Sequence, residues 1–582
     1  MTAPAAGSGP AAGQAPAPGR LTGVGVGPGD PDLLTVRAIK AIAAADVVAY
    51  HCARHGNSIA RAAAAPYLPS GVIEEILTYP VTTEGTSHPG GYAGALADFY
   101  AEATERLAAH LDRGRNVVVL CEGDPAFYGS YQHLHTRLSG RFSATVVPGI
   151  SSVSAAAAAV GVPLVQHDET LTVLPGTLAD DELRARMARA DAVAVFKLGR
   201  TFDRVRAALA DTGLLHRARY VERAGTGAQR VEALADVDPA SVPYMSLALV
   251  PGRGQRATAG ASRGDSGAVR QATAAPQAAG GPGSEDPARA AQTAGAAQEA
   301  VTGCGAGPAA SRGTGRVVVV GLGPGDPGWL TPEAEAAVAG ATDLVGYRPY
   351  LTRIPERAGQ RRHASGNTVE ARRAALALDL AAGGAQVAVI SSGDPGVFAM
   401  ASAVIEQVAA EPDRWPDVPV EVLPGVTAAQ AVAARAGAPL GHDYCVISLS
   451  DRLKPWETIT DRIEKAAAAD LAMAFYNPSS RGRTWQLAAV RDLLLRYRDP
   501  ETPVVLGRGV GRDGERLTVT SLGTLDPADV DMSTLVIVGS SQTRVHHRRG
   551  GPVVFTPRHY GEEGAAASAA SARPRGQAPG QP

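Results

Sequence analysis

Aromatic residues make up only 5% of this 582-residue chain, and it has just four cysteines. With so few rings, any core must be built mostly from Ala, Val and Leu. Cys52, Cys121, Cys304 and Cys445 are scattered without metal-type pairing, so they read as reduced thiols of a cytoplasmic protein. An excess of one charge is missing too. A formal net charge of -2 gives no global field to steer nucleic acid or hold a membrane surface. No apolar run approaches the length of a membrane span, so neither nucleic acid nor membrane is expected as a partner. Residues 1–19 are rich in Ala, Pro and Gly and lack a basic start followed by an apolar core. They read as a disordered leader, not a signal peptide.

What is present is length and repetition. A hydrophobic content of 45% supports sizeable cores, and the length suits three or four domains. Composition shifts after Pro251: residues 252–315 are almost all small or polar and read as a disordered linker. A flexible coil of that length would span roughly 40–50 Å. Residues 546–582, basic and then low in complexity, read as a disordered tail. Two blocks remain, 20–251 and 316–545, and they repeat one another. The turn Gly25-Val26-Gly27-Pro28-Gly29-Asp30 returns as Gly321-Leu322-Gly323-Pro324-Gly325-Asp326. Gly123-Asp124-Pro125 returns as Gly393-Asp394-Pro395, and Pro148-Gly149 as Pro424-Gly425, each of the latter followed by a hydroxyl residue. The order is kept, which marks a duplication.

Each glycine-rich turn follows a short apolar run and precedes a helical pattern. Thr35 is expected to cap a helix over 36–45, and Thr331 another with Pro332 at its first position. Strands alternating with helices predict an α/β fold with parallel, doubly wound sheets. Further strand and turn signals late in each block predict a second lobe. The expected architecture is two tandem units, each of two α/β lobes with an interlobe cleft. Loops at the carboxyl ends of parallel strands are where such folds bind ligands. A dinucleotide site is excluded: the fingerprint wants a third glycine where Asp30 and Asp326 stand. It also wants an acidic end to the second strand, where the chain has Tyr50-His51 and Tyr347-Arg348.

The combination of Gly-x-Gly-Pro-Gly-Asp, Gly-Asp-Pro and Pro-Gly-Ile/Val-Ser/Thr resembles the tetrapyrrole methylase family, and the likeness covers nearly all of both blocks. Cys121-Glu122-Gly123-Asp124-Pro125, Leu174-Pro175-Gly176-Thr177 and Lys197-Leu198-Gly199-Arg200 make block one similar to precorrin-2 C20-methyltransferases. Ser391-Ser392-Gly393-Asp394-Pro395-Gly396-Val397, Gly441-His442-Asp443 and Tyr476-Asn477-Pro478 make block two similar to precorrin-3B C17-methyltransferases. The resemblance implies a bifunctional enzyme of corrin biosynthesis that uses S-adenosylmethionine on tetrapyrrole substrates. It also implies homodimers, although no interface is legible in the residues. The donor brings its own leaving group, so no metal is required.

By the same resemblance, Pro28, Glu122, Gly123, Asp124, Ser151, Ser152 and Leu198 would line the donor site of block one. Pro324, Ser392, Gly393, Asp394, Val397, Thr427, Ala428 and Asn477 would line that of block two. Asp30, Asp326 and His51 sit on loops expected to face the tetrapyrrole and are the candidate general bases. Either aspartate could instead cap a helix. Arg348 is expected at the place matching His51. Arg54, His55, Arg353, Arg361, Arg362 and His363 are candidate cations for the substrate's carboxylates. Alternatives are the same scaffold acting on cobalt-precorrins, protein or RNA, or one block serving as a non-catalytic binding module.

Overall fold

The computed structural model describes residues 17–252 and 315–557, apart from 55, 57, 82–85, 166–168, 189, 367–368, 453, 481 and 549–550. The expectations for the leader, the linker, the far tail, Cys304 and His55 therefore lie outside the described residues.

In block one, Arg20–Gly25, Val47–Cys52, Ile73–Thr78, Val117–Cys121 and Ser143–Val147 form a five-stranded parallel sheet. In block two, Arg316–Gly321, Asp343–Tyr347, Arg361–Ser365, Gln386–Ser391 and Val420–Leu423 do the same. Both sheets run third, second, fourth, first, fifth in space. The local chemistry explains the elements. Val117–Cys121 is buried at every position, as a strand covered on both faces must be. Thr35 accepts from the Ala38 N–H at 3.1 Å to start the helix Val36–Ala43, and Thr331 starts Pro332–Gly340 in the same way. Cys52, Cys121 and Cys445 are buried free thiols. No helix among the described residues is long and apolar enough to cross a membrane.

The second lobes do not form two separate sheets. Leu171–Pro175 of block one pairs antiparallel with Tyr444–Ser448 of block two, with Val173 opposite Tyr444 and Leu171 opposite Val446. The result is one ten-stranded sheet whose two halves mirror each other in strand order. The core around this seam draws Ile150, Val173 and Ala194 from block one and Trp329, Val426 and Val446 from block two. Both blocks thus belong to one compact unit. The seam takes up the sheet edge that each block would otherwise leave open.

The chain stays folded past the expected boundary at residue 545. Val553–Phe555 lies between Gly437–Ala438 and Arg544–His546 in a three-stranded sheet, with Val554 fully buried. Residues 546–548 and 551–557 are therefore part of block two, against the expectation of a tail from 546. Basic and glycine-rich neighbours hid a three-residue apolar strand in the average composition.

Candidate active site

The glycine-rich turn of each block is stitched to the Gly-Asp-Pro loop by backbone. In block one the Val26 N–H donates to Cys121 O at 2.9 Å and the Gly123 N–H to Gly27 O at 2.7 Å. In block two the Leu322 N–H donates to Ser391 O at 2.9 Å, and Gly323 and Gly393 exchange bonds of 3.2 and 3.0 Å. A buried aspartate then ties in the third loop. Asp124 accepts from Ala126 and Gly149 N–H at 2.9 and 3.1 Å, and Asp394 from Gly396 and Gly425 at 2.8 and 3.1 Å. Burial pushes the Asp124 carboxyl up to about 7 and Asp394 up to about 6, against the pull of those N–H groups. The three predicted loops do converge, and these two aspartates hold them together from beneath.

Gly123 and Gly393 take left-handed φ values of 64° and 69°. A Cβ at Gly123 would meet nothing closer than Ser152 Oγ at 3.6 Å, and one at Gly393 only Val426 O at 4.0 Å. A Cβ would thus meet only ordinary van der Waals contacts at the same point of both blocks, and the left-handed backbone is what favours glycine there. The helices Ser152–Val160 and Ala428–Ala436 begin beside it, capped by Ser151 and Thr427. Pro28 and Pro324 are buried, Ser152, Ser392, Val397, Thr427, Ala428 and Asn477 are half-buried, and Glu122 is exposed. Asn477 donates to Ser448 Oγ at 3.0 Å. Leu198 stands apart from them: its side chain is fully buried in the core of the second lobe.

The candidate bases fare differently. Asp30 and Asp326 each cap a short 3-10 turn, accepting from Asp32 and Gly328 N–H at 2.9 and 2.6 Å. Asp326 is also ion-paired with Arg37 of the other block, so its carboxylate is already engaged. His51 stacks on Tyr79 with ring centroids 5.1 Å apart, beside Phe99 and Tyr100. Its Nε2 is buried without a partner among the described residues, and burial lowers its pKa to about 4. The burial that keeps this imidazole neutral also makes it a weak base. Sheet register corrects its expected counterpart. Val47 pairs with Val117 and Asp343 with Val387, which sets Tyr347, not Arg348, in the place of His51.

The expected cationic rim is also redrawn. Arg361 and His363 both bind Asp343, at 2.7 Å, at the amino end of the second strand and so at the far end of the sheet from the loops. Arg362 donates to the carbonyls of Leu351, Ile354 and Pro355. Arg54 is exposed. Arg353 does reach the site, donating to the carbonyls of Leu322, Gly323 and Gly325 at 3.1–3.3 Å. Desolvation and the nearby Arg512 lower its pKa to about 10.

The sequence matches the family described as Tetrapyrrole (Corrin/Porphyrin) Methylases over residues 20–237 and 316–526. The chain belongs to the tetrapyrrole methylase family. Among similar proteins, the cobalamin biosynthesis protein CobIJ of Mycobacterium tuberculosis is 55% identical over 95% of this chain and 98% of its own length. A precorrin-3B C(17)-methyltransferase of Sinorhizobium sp is 51% identical over 42% of this chain and 98% of its own length. A precorrin-2 C(20)-methyltransferase from the same source is 48% identical over 40% of this chain and 95% of its own length.

Both methylase blocks carry strained backbone that motif reading does not foresee, at Asn477, which it names, and at three residues it does not assign to the site. Tyr128 and Phe398, after the two Gly-Asp-Pro turns, hold φ of 52° and 51°; Lys197 and Asn477, after matching second-lobe strands, hold 60° and 51°. Bulky residues rarely adopt that region, and such strain clusters at functional sites. Only asparagine among the four signals it in sequence. Arg512 was also missed. It donates to Pro324 O at 3.0 Å and, with Arg353 and Tyr350, lines a cavity of about 340 Å³ beside the glycine-rich turn. In the other methylase block the matching turn carries Thr226.

Proposed function

We propose that this chain is a bifunctional, cytoplasmic methyltransferase of cobalamin biosynthesis. Block one would methylate precorrin-2 at C20, and block two precorrin-3B at C17 with ring contraction. The observation that carries this reading is a fused relative at 55% identity that matches 95% of the chain, accompanied by single-activity relatives the length of one block.

The residues of each three-loop cradle suit S-adenosylmethionine, because small residues and main chain meet there and a Cβ at Gly123 or Gly393 could enter without a clash. When bound, it supplies an electrophilic methyl group on a sulfonium that leaves as a neutral thioether. The protein's share is alignment and exclusion of water, and orientation alone corresponds to effective molarities of about 10⁵–10⁸ M in favourable cases. The macrocycle carbon supplies the electron pair for the new bond, and the macrocycle gives up one proton to balance the charge. Asp326 is engaged by Arg37 and His51 is a weak base, so that proton is not assigned to either side chain. Arg353 and Arg512 set the shape of the block-two turn through its carbonyls and place positive charge at the cavity, which suits a substrate carrying carboxylates.

The test is mass spectrometry of products from precorrin-2 and from precorrin-3B with methyl-labelled donor. One labelled methyl on each substrate is expected. Retention of only one activity would reduce the other block to a scaffold.

A further inference from the structure

The glycine-rich turn of block two is held at its end by block one. Asp326 closes that turn: its Oδ1 accepts from the Gly328 N–H at 2.6 Å, and its Oδ2 binds the Arg37 guanidinium of block one. Arg37 stands on the helix Val36–Ala43, next to Val36, whose N–H donates to Leu330 O at 3.0 Å. Its guanidinium also lies 5.7 Å from the ring centre of Trp329, a fully buried residue of the short turn that Asp326 caps. We propose that Arg37 of block one is a positioning residue for the methyl-donor turn of block two. This rests on reading that turn as part of a donor site.

The rest of the turn is gripped from within its own block. Arg353 donates to the carbonyls of Leu322, Gly323 and Gly325, and Arg512 to that of Pro324. Arg37 supplies the remaining hold, at Asp326. The arrangement is one-way, although the blocks pack reciprocally: Val36–Ala43 lies against Pro327–Trp329, and Pro332–Gly340 against Pro31–Leu33. With the caps Thr35 and Thr331 aligned, Pro332 stands in the place of Val36 and has no N–H to donate. Glu333 stands in the place of Arg37, and a carboxylate cannot grip Asp30 as a guanidinium grips Asp326. Burial, together with Glu421, Asp30 and Asp32, raises Glu333 to about 7 instead. Among the described residues Asp30 accepts only from the Asp32 N–H.

The surroundings set the size of the effect. Arg435 lies 5.1 Å from the same Trp329 ring and is itself paired with Glu515 at 2.6 Å. The Arg37 and Asp326 side chains are 37% and 22% exposed, so water screens their attraction. Removing the guanidinium leaves Asp326 with its cap bond alone and lets the end of the turn shift. The consequence falls on donor binding in block two, not on the block that carries Arg37.

The experiment is steady-state kinetics of the full chain in S-adenosylmethionine, with precorrin-2 and precorrin-3B assayed separately. The proteins are wild type, Arg37→Gln, Asp326→Asn and the double variant. In Arg37→Gln the donor KM of the precorrin-3B reaction should rise about three- to fivefold, the upper end for a partly exposed pair, with kcat within about twofold. The precorrin-2 reaction should keep both constants. Asp326→Asn keeps the cap acceptor but loses the charge, so it should give a similar rise, and the double variant no more than either single one. A donor KM that rises as much for precorrin-2, unchanged constants in both reactions, or additive effects in the double variant would overturn the assignment. A general loss of folding would strike the precorrin-2 reaction first and is separated by that control. A wild-type chain that methylates neither substrate would overturn the donor-site reading itself.

Discussion

Replacing Gly25 by Ala would set a methyl carbon 2.6 Å from Gly123 O, 2.5 Å from Gly149 N and 2.7 Å from Gly149 Cα. These are backbone atoms of the other two loops, so no side-chain rotation relieves the clash. One loop must move by roughly half an ångström or more, since unstrained carbon contacts begin near 3.5 Å. The bonds that hold them are the first to lengthen: Gly149 N–H to Asp124 Oδ2 at 3.1 Å and Gly123 N–H to Gly27 O at 2.7 Å. Losing one charge-assisted and one neutral bond costs about 2–4 kcal/mol. Expressed in binding, that is about 30- to 700-fold in donor affinity. The structure also grades the effect. At Gly321 the matching distances are 2.8–2.9 Å, so Gly321→Ala belongs at the mild end. Donor titration and separate turnover of precorrin-2 and precorrin-3B are the assays. Gly25→Ala should cripple the first reaction and spare the second, and Gly321→Ala should do the reverse with a smaller effect. Wild-type donor affinity in Gly25→Ala would refute the claim that these loops form the site by close backbone contact.

Three other outcomes are expected. Proteolysis confined to the linker should leave the blocks associated in size-exclusion chromatography, and Asp443→Ala should let them separate. Asp443 is 1% exposed and binds Arg186 and the Tyr128 hydroxyl of the other block, and breaking such a buried pair costs about 3–5 kcal/mol. Truncation after residue 545 should lower the thermal unfolding midpoint, because Gly437–Ala438 loses its partner strand. For His51 the folded pKa of about 4 lies below the ordinary value of 6.5, so the unfolded chain binds the extra proton in that window. Stability should rise with pH from about 4 to about 6.5, and His51→Phe should flatten that slope in denaturant titrations at pH 5 and 7.

The first lobes and their loops were legible because their signals are local. A cap such as Thr35, a run such as Val117–Cys121 and a glycine turn announce themselves within a few residues. Repetition then separated the meaningful turns from ordinary ones. What escaped depends on residues far apart in the chain. Leu171–Pro175 and Tyr444–Ser448 each look like a common buried strand, and nothing in either says that it pairs with the other. Arg361 and His363 looked like substrate cations until strand register placed them against Asp343. His51 was matched to Arg348 by counting from the strand end, whereas the ladder aligns it with Tyr347. Asp30 and Asp326 sit where expected, yet their occupation as caps and, for Asp326, as a partner of Arg37 is a matter of three-dimensional contact.

The seam has a consequence for how this protein changes over generations. Two enzymes that met only as separate gene products would have to keep their contact surfaces usable by every copy in the cell. Here both faces of the contact are inherited in one reading frame and always meet each other. Asp443 can face Arg186 and Tyr128 while the register-matched position in block one, Thr170, bonds Asp191 instead. Each side has been free to specialise against a single fixed neighbour. A lesion on one strand of the seam is accordingly best looked for together with its answering change on the other, within the same allele.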